Sequence, residues 1–74
     1  MATILDVTGL KCPLPVLRVQ KRMRDLPPGE ILRILATDPG APRDLASFCE
    51  AQGHELLSTT QDADVFTIEI RRRA

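Results

Sequence analysis

Four residues, Cys12-Pro13-Leu14-Pro15, restrict this chain more than any other stretch of it. They follow a short apolar run, Thr3 to Val7, and open a segment of helical period, so the chain must pass from strand to helix there. Proline is accepted in the first turn of a helix, where the N–H it lacks would have no intrahelical partner. The motif therefore predicts a helix start at Pro13 and sets one thiol in front of it. Unpaired N–H groups and the helix dipole favour a thiolate at such a place, so Cys12 is expected to ionise readily. The residue three further on is Pro15, where a thioredoxin-type site has a second cysteine, so no local disulfide can form. A reactive thiol without a local resolver suits covalent holding: a group is taken onto sulfur, kept, and handed on.

The rest of the chain supplies the frame. After the first strand Gly9 breaks the chain. From Pro13 to about Leu26, Val16, Val19, Met23 and Leu26 recur at spacings of three and four, with Leu17 widening the stripe. Pro27-Pro28-Gly29 ends this helix. Glu30 to Thr37 read as a second strand, apolar on both faces and hence central, with Leu32, Ile34 and Ala36 on one side and Ile31, Arg33 and Leu35 on the other. Asp38-Pro39-Gly40 is a loop, and Pro42 fits the first turn of a second helix with Asp44 near its positive end. Leu45, Phe48, Cys49 and Gln52 form its stripe, and Gly53 caps it. His54 to Thr60 and Val65 to Arg71 read as a terminal hairpin around a polar turn, Gln61 to Asp64. The order β-α-β-α-β-β predicts an α/β (α+β) fold: a two-layer sandwich in which two helices cover one face of a four-stranded mixed sheet. The first strand–helix–strand unit is expected to be right-handed if its strands are parallel neighbours.

The 74 residues read as one domain, 1–74, small enough for its core to be marginal. With 43% apolar residues the chain is expected to fold. Phe48 and Phe66 are its only aromatic residues, and its formal net charge is zero, which excludes an aromatic stacking platform and a general nucleic-acid binder. No apolar run approaches the roughly 18 residues that span a bilayer, and a cytoplasmic, thiol-reducing location is the expectation. Cys12, Cys49 and His54 lack zinc-ligand spacing, so no metal and no cofactor is expected.

Each candidate residue has a plainer reading beside its functional one. Cys12 could be an inert small residue in a stiff turn, but buried inert cysteines seldom stand at a helix start before proline. Pro13 and Pro15 stiffen the segment and remove two N–H groups that would otherwise cradle a phosphate. Cys49 lies on an apolar stripe and reads as a buried structural thiol. His54 reads as solvent-facing or capping rather than as a base for Cys12. Asp38, Arg43 and Asp44 shape the loop near the reactive end by a salt bridge or a helix cap, ahead of any direct catalytic part. Lys11, Arg18, Lys21 and Arg22 are either a solvated helix face, with Lys21 and Asp25 paired, or a surface that steers an acidic partner. Arg71-Arg72-Arg73 read as a solvated tail.

Taken in order, Leu5-Asp6, Gly9-Leu10-Lys11-Cys12-Pro13-Leu14-Pro15, Pro27-Pro28-Gly29-Glu30, Asp38-Pro39 before Arg43-Asp44, Phe48-Cys49 and His54-Glu55-Leu56 resemble the TusA/SirA-like family of small sulfur carriers over almost the whole chain. The resemblance implies a two-layer fold like the carboxy-terminal domain of a bacterial translation initiation factor, and a persulfide carried on Cys12. It implies a cysteine desulfurase or a rhodanese as sulfur donor and a relay protein as acceptor, serving tRNA thiolation, molybdenum cofactor assembly or dissimilatory sulfur metabolism. Leu14 departs from the best-known tRNA-thiolation member, which has Glu there. A monomer without direct nucleic-acid contact is the expectation. Two other readings stay open: a non-enzymatic interaction or regulatory module with a structural Cys12, and a thiol redox protein using Cys12 and Cys49. Selenium in place of sulfur is also compatible with these residues.

Overall fold

Alternation along the second strand organises the molecule. The computed structural model describes residues 2–73, and within them Leu32, Ile34 and Ala36 are wholly buried on one face of that strand. The elements run β1 (Ala2–Val7), α1 (Leu14–Asp25), β2 (Ile31–Ala36), α2 (Ala41–Gln52), β3 (Glu55–Asp62) and β4 (Val65–Arg71). The four strands form one sheet in the order β1-β2-β4-β3. β1 pairs with β2 in parallel, and β4 runs antiparallel to both β2 and β3. The near-continuous apolar run thus lies at the centre, because it is covered on both edges and on one face. The fold is α+β, in the expected element order, with α1 and α2 packed on one side of the mixed sheet.

The core lies between these layers. Val7 from β1, Leu32, Ile34 and Ala36 from β2, and Ile68 and Ile70 from β4 meet Val19, Met23 and Leu26 from α1 and its end, and Ala41, Leu45 and Cys49 from α2. The sheet's other side is polar across its middle. Arg33 on β2 donates to Glu69 on β4 at 2.9 Å, and Ser58 on β3 donates to the same carboxylate at 3.2 Å. One β-bulge at Leu57 shifts the β3–β4 register between Leu56 and Ser58.

Several expectations change in detail. β3 continues to Asp62, which shortens the polar turn to Ala63 and Asp64, with Ala63 at φ 55°. Leu17 does not widen the buried stripe; it is 51% exposed. The basic end of the chain is not a solvated tail. Arg71 lies in β4 and pairs with Glu55 at 3.2 Å, and the Arg72 N–H donates to the Glu30 carbonyl at 2.9 Å. The Arg72 guanidinium donates to the Leu26 carbonyl, one of the acceptors that the end of α1 leaves without an intrahelical partner. Asp25 pairs with Arg22 rather than with Lys21, at 4.0 Å.

Candidate functional site

The site is assembled where β1 hands over to α1, beside the start of α2. The handover is pinned from both sides. Asp6 at the end of β1 accepts hydrogen bonds from the Thr8 N–H at 2.9 Å and from its hydroxyl at 2.7 Å. The hydroxyl, then the amide, holds the Asp6 carboxyl below its usual value. Gly9, at φ +81°, takes the left-handed turn that a side chain would resist, and its N–H donates to the Thr37 hydroxyl just past β2, at 2.9 Å. Lys11 then accepts the Leu14 N–H at 2.8 Å, closing the turn that carries Cys12. Asp6, Thr8 and Thr37 were not singled out as site support by the sequence reading, although Asp-x-Thr-Gly is a recognisable turn signal.

The two prolines divide the work at the helix start. α1 begins at Leu14, so Pro13 is the N-cap residue rather than the first helical one, with φ −97° and ψ 12°. The bond between Cys12 and Pro13 is cis. Pro15 occupies the second helical position, where its missing N–H costs no bond, and its ring is buried against the core. Cys12 and Pro13 stay exposed in front of it.

Cys12 does not meet the environment that a helix start alone suggests. Its thiol donates to Oδ2 of Asp44, 32 residues away in the first turn of α2, at 3.1 Å. That hydrogen bond to a carboxylate, then desolvation, then the charges of Asp44 and Asp38, raise the Cys12 pKa above its usual value. The ready ionisation expected from the helix start is opposed here: the carboxylate that accepts the thiol's hydrogen bond disfavours its charged form. Asp38 accepts the Gly40 N–H at 3.1 Å, and its backbone carbonyl accepts the Ala41 N–H at 3.0 Å, so it caps the loop that opens α2. Arg43 is exposed and forms no ion pair with Asp38 or Asp44. The three residues share one loop and helix start, and Asp44 alone among them touches the thiol.

Around the thiol the surface is apolar as well as basic. Leu14 and Leu17 on α1 are 45% and 51% exposed, and Arg18 and Lys21 continue the same helical face at i+4 and i+7 from Leu14. Lys11 is exposed directly before the cysteine. Arg22 turns aside toward its Asp25 partner, about 12 Å along α1 from Leu14.

The second thiol and the histidine lie elsewhere. Cys49 is buried on the inner face of α2, and burial pushes its thiol up to about 11. Both cysteines are free. His54 follows α2, packs its ring against Phe48 with centroids 5.5 Å apart, and accepts the Arg73 N–H on Nδ1 at 3.1 Å. Burial, then Arg73 and Arg72, lower its pKa. With Gln20, Met23, Arg24, Phe48, Gln52, Arg72 and Arg73 it lines a shallow cavity of about 200 Å3. That cavity lies at the C-terminal ends of both helices, away from the thiol, and its cations face helix ends that favour positive charge.

No helix among the described residues is long and apolar enough to cross a membrane. The family described as Sulfurtransferase TusA matches residues 3–72. A protein of Neisseria meningitidis, designated a candidate sulfur carrier, is 48% identical over 93% of this chain and 93% of its own length. The sulfur carrier protein TusA of Pseudomonas aeruginosa is 45% identical over 96% of this chain and 90% of its own. Among solved structures, a SirA-like protein from Desulfitobacterium hafniense shares the fold with a TM-score of 0.85 and 24% identity over the whole of both chains.

Proposed function

This chain belongs to the TusA family of sulfur carriers, and from that membership we propose that it carries sulfur as a persulfide on Cys12, taken from a donor enzyme and relayed to an acceptor protein. The observation that carries this reading is the contrast in accessibility between the two thiols. Cys12 is exposed on a turn pinned by Asp6, Thr8, Gly9 and Thr37, while Cys49 is sealed in the core. An exposed thiol with its neighbour buried can hold a transferred sulfur without losing it to an internal disulfide.

The Cys12 thiol is the group that takes the sulfur and gives it up. Sulfur arrives as the terminal atom of a donor persulfide, of the kind a cysteine desulfurase or a rhodanese presents, and leaves to the thiolate of a relay protein. Leu14 and Leu17 offer an apolar contact beside the sulfur, and Lys11, Arg18 and Lys21 supply charge that speeds encounter with an acidic partner. Arg22, committed to Asp25, contributes less. The carrier acts as a cytoplasmic monomer in this reading.

Incubation with a cysteine desulfurase and cysteine, followed by intact mass measurement, tests it. Native protein gains one sulfur that a reductant removes, and Cys12→Ser protein gains none. If neither that donor nor thiosulfate with a rhodanese adds sulfur to native protein, or if Cys12→Ser still gains it, the proposal is wrong.

A further inference from the structure

We propose that Asp44 is the proton acceptor for Cys12 during sulfur loading, and that between partners the same contact keeps the empty carrier inert. This rests on the persulfide reading of Cys12.

The contact joins two places that the chain brings together only by folding. Sγ of Cys12 donates to Oδ2 of Asp44 at 3.1 Å, from the turn before α1 to the first turn of α2. Asp44 is held there by its helix: its N–H donates to the Gly40 carbonyl at 3.0 Å, and the residue stands where unpaired N–H groups favour a negative side chain. Asp38 and Asp44 both bring a carboxylate oxygen close to Gly40. A Cβ on that glycine would come 3.2 Å from Oδ2 of Asp38 and 3.6 Å from Oδ2 of Asp44. Of the cations nearby in sequence, Lys11 and Arg43 are exposed, and no ion pair joins Arg43 to Asp44. The carboxylate is thus free to serve the thiol.

Such a pair has two consequences. In the empty carrier the thiol stays protonated, which slows attack on stray electrophiles and oxidants, because the thiolate is the reactive form. During loading the proton must leave as sulfur arrives. Sγ of Cys12 attacks the terminal sulfur of the donor persulfide. The new S–S bond forms, the donor's S–S bond breaks, and its electron pair departs on the donor's inner sulfur. The Cys12 proton passes to Oδ2 of Asp44 and from there to the departing donor thiolate, which leaves as a thiol. The carboxylate is regenerated, and no outside oxidant or reductant is consumed. A docked donor covers Cys12 and excludes water, so a base already in contact with the thiol is the one available.

The two consequences have opposite signs on removal of the carboxylate, and this makes the test sharp. Full-length wild-type, Asp44→Asn, Asp44→Glu and Asp38→Asn proteins are compared in two reactions. One is alkylation of Cys12 by iodoacetamide as a function of pH. The other is single-turnover sulfur uptake from a persulfidated cysteine desulfurase, also as a function of pH. Asp44→Asn should alkylate severalfold faster at neutral pH, with its profile moved to lower pH, and yet load sulfur about tenfold or more slower. Asp44→Glu should restore most of the loading. Asp38→Asn, which removes a second nearby charge without touching the thiol, should speed alkylation slightly and slow loading far less than Asp44→Asn does. If Asp44→Asn accelerates both reactions, Asp44 is only a neighbouring charge and the proton-acceptor role is overturned. If both are unchanged, the whole proposal is overturned. A wild-type chain that never gains sulfur on Cys12 overturns the carrier reading and the acceptor role together, whereas unchanged loading in Asp44→Asn beside a loaded wild type overturns the role of Asp44 alone.

Discussion

Cys12 and Cys49 are the same side chain in opposite settings of one small domain. Cys12 stands outside the core, on a turn held by side-chain hydrogen bonds, with a carboxylate against its thiol. Cys49 stands inside, with apolar neighbours. Both thiols are held protonated, but for different reasons: Cys12 chiefly by Asp44, Cys49 by desolvation. The difference matters for function. A restraint made of one exposed hydrogen bond is lifted when a partner docks or a proton moves. A restraint made of burial is lifted only by unfolding. Reactivity in this domain therefore follows access and the neighbouring carboxylate.

The largest effect expected from breaking the comparison comes from exchanging each sulfur for oxygen. Cys12→Ser abolishes sulfur loading and leaves the fold intact, as circular dichroism and mass measurement should show together. Cys49→Ser keeps loading but sets a hydroxyl in the core, with a cost of about 1–3 kcal/mol in urea unfolding unless it finds a partner. Loading that survives Cys12→Ser and is lost in Cys49→Ser would reverse the assignment of the two thiols.

The pH dependence sharpens it next. A thiol whose pKa is raised by folding binds its proton more tightly in the native state. Unfolded chains lose that proton first, so the corresponding stability is present at neutral pH and declines as pH rises. For Cys49 the decline runs from the ordinary value of 9.0 toward about 11. Urea midpoints measured across that window should fall more steeply for wild type than for Cys49→Ala. Equal slopes would show that Cys49 does not titrate differently in the folded state. Over the same window Cys12 should alkylate fully in native protein, while Cys49 reacts only after denaturant is added.

Much of the frame could be read in the sequence because each element carries local punctuation. Pro27-Pro28-Gly29 ends α1, Pro42 opens α2 and Gly53 closes it, and β2 announces its central place by carrying Arg33 alone in an otherwise apolar run. The buried state of Cys49 followed from helical period alone. What could not be read was anything that depends on the approach of distant segments. Asp44 could be placed near the reactive end, but its contact with a thiol 32 residues away, which opposes the expected ionisation, could not be read in one dimension. The exposure of Leu17 was hidden similarly: its spacing fits the edge of an apolar stripe, but Val16 and Val19 face the core and Leu17 does not. Arg72 looked like a tail because its anchors, the carbonyls and amides around Leu26 to Glu30, come from the other end of the fold.

Smaller effects belong to the surface around Cys12. Leu14→Ser with Leu17→Ser should slow sulfur uptake from a protein donor severalfold and leave alkylation by iodoacetamide unchanged, since a small reagent needs no docking surface. Slowing of both would point to a disturbed turn instead. The smallest effect is expected at Arg22. Its pairing with Asp25, at 4.0 Å between exposed groups, should contribute well under about 1 kcal/mol to stability, and Arg22→Ala should load sulfur at nearly the wild-type rate.

The most direct test of the central claim is to locate the added sulfur. Protein loaded by a desulfurase is trapped with an alkylating reagent without reduction, digested, and its cysteine peptides are weighed. The account predicts a trapped persulfide on the Cys12 peptide and none on the Cys49 peptide until the chain is denatured. Sulfur on Cys49 in native protein, or a peptide pair joined through Cys12 and Cys49 as the main product, would contradict it.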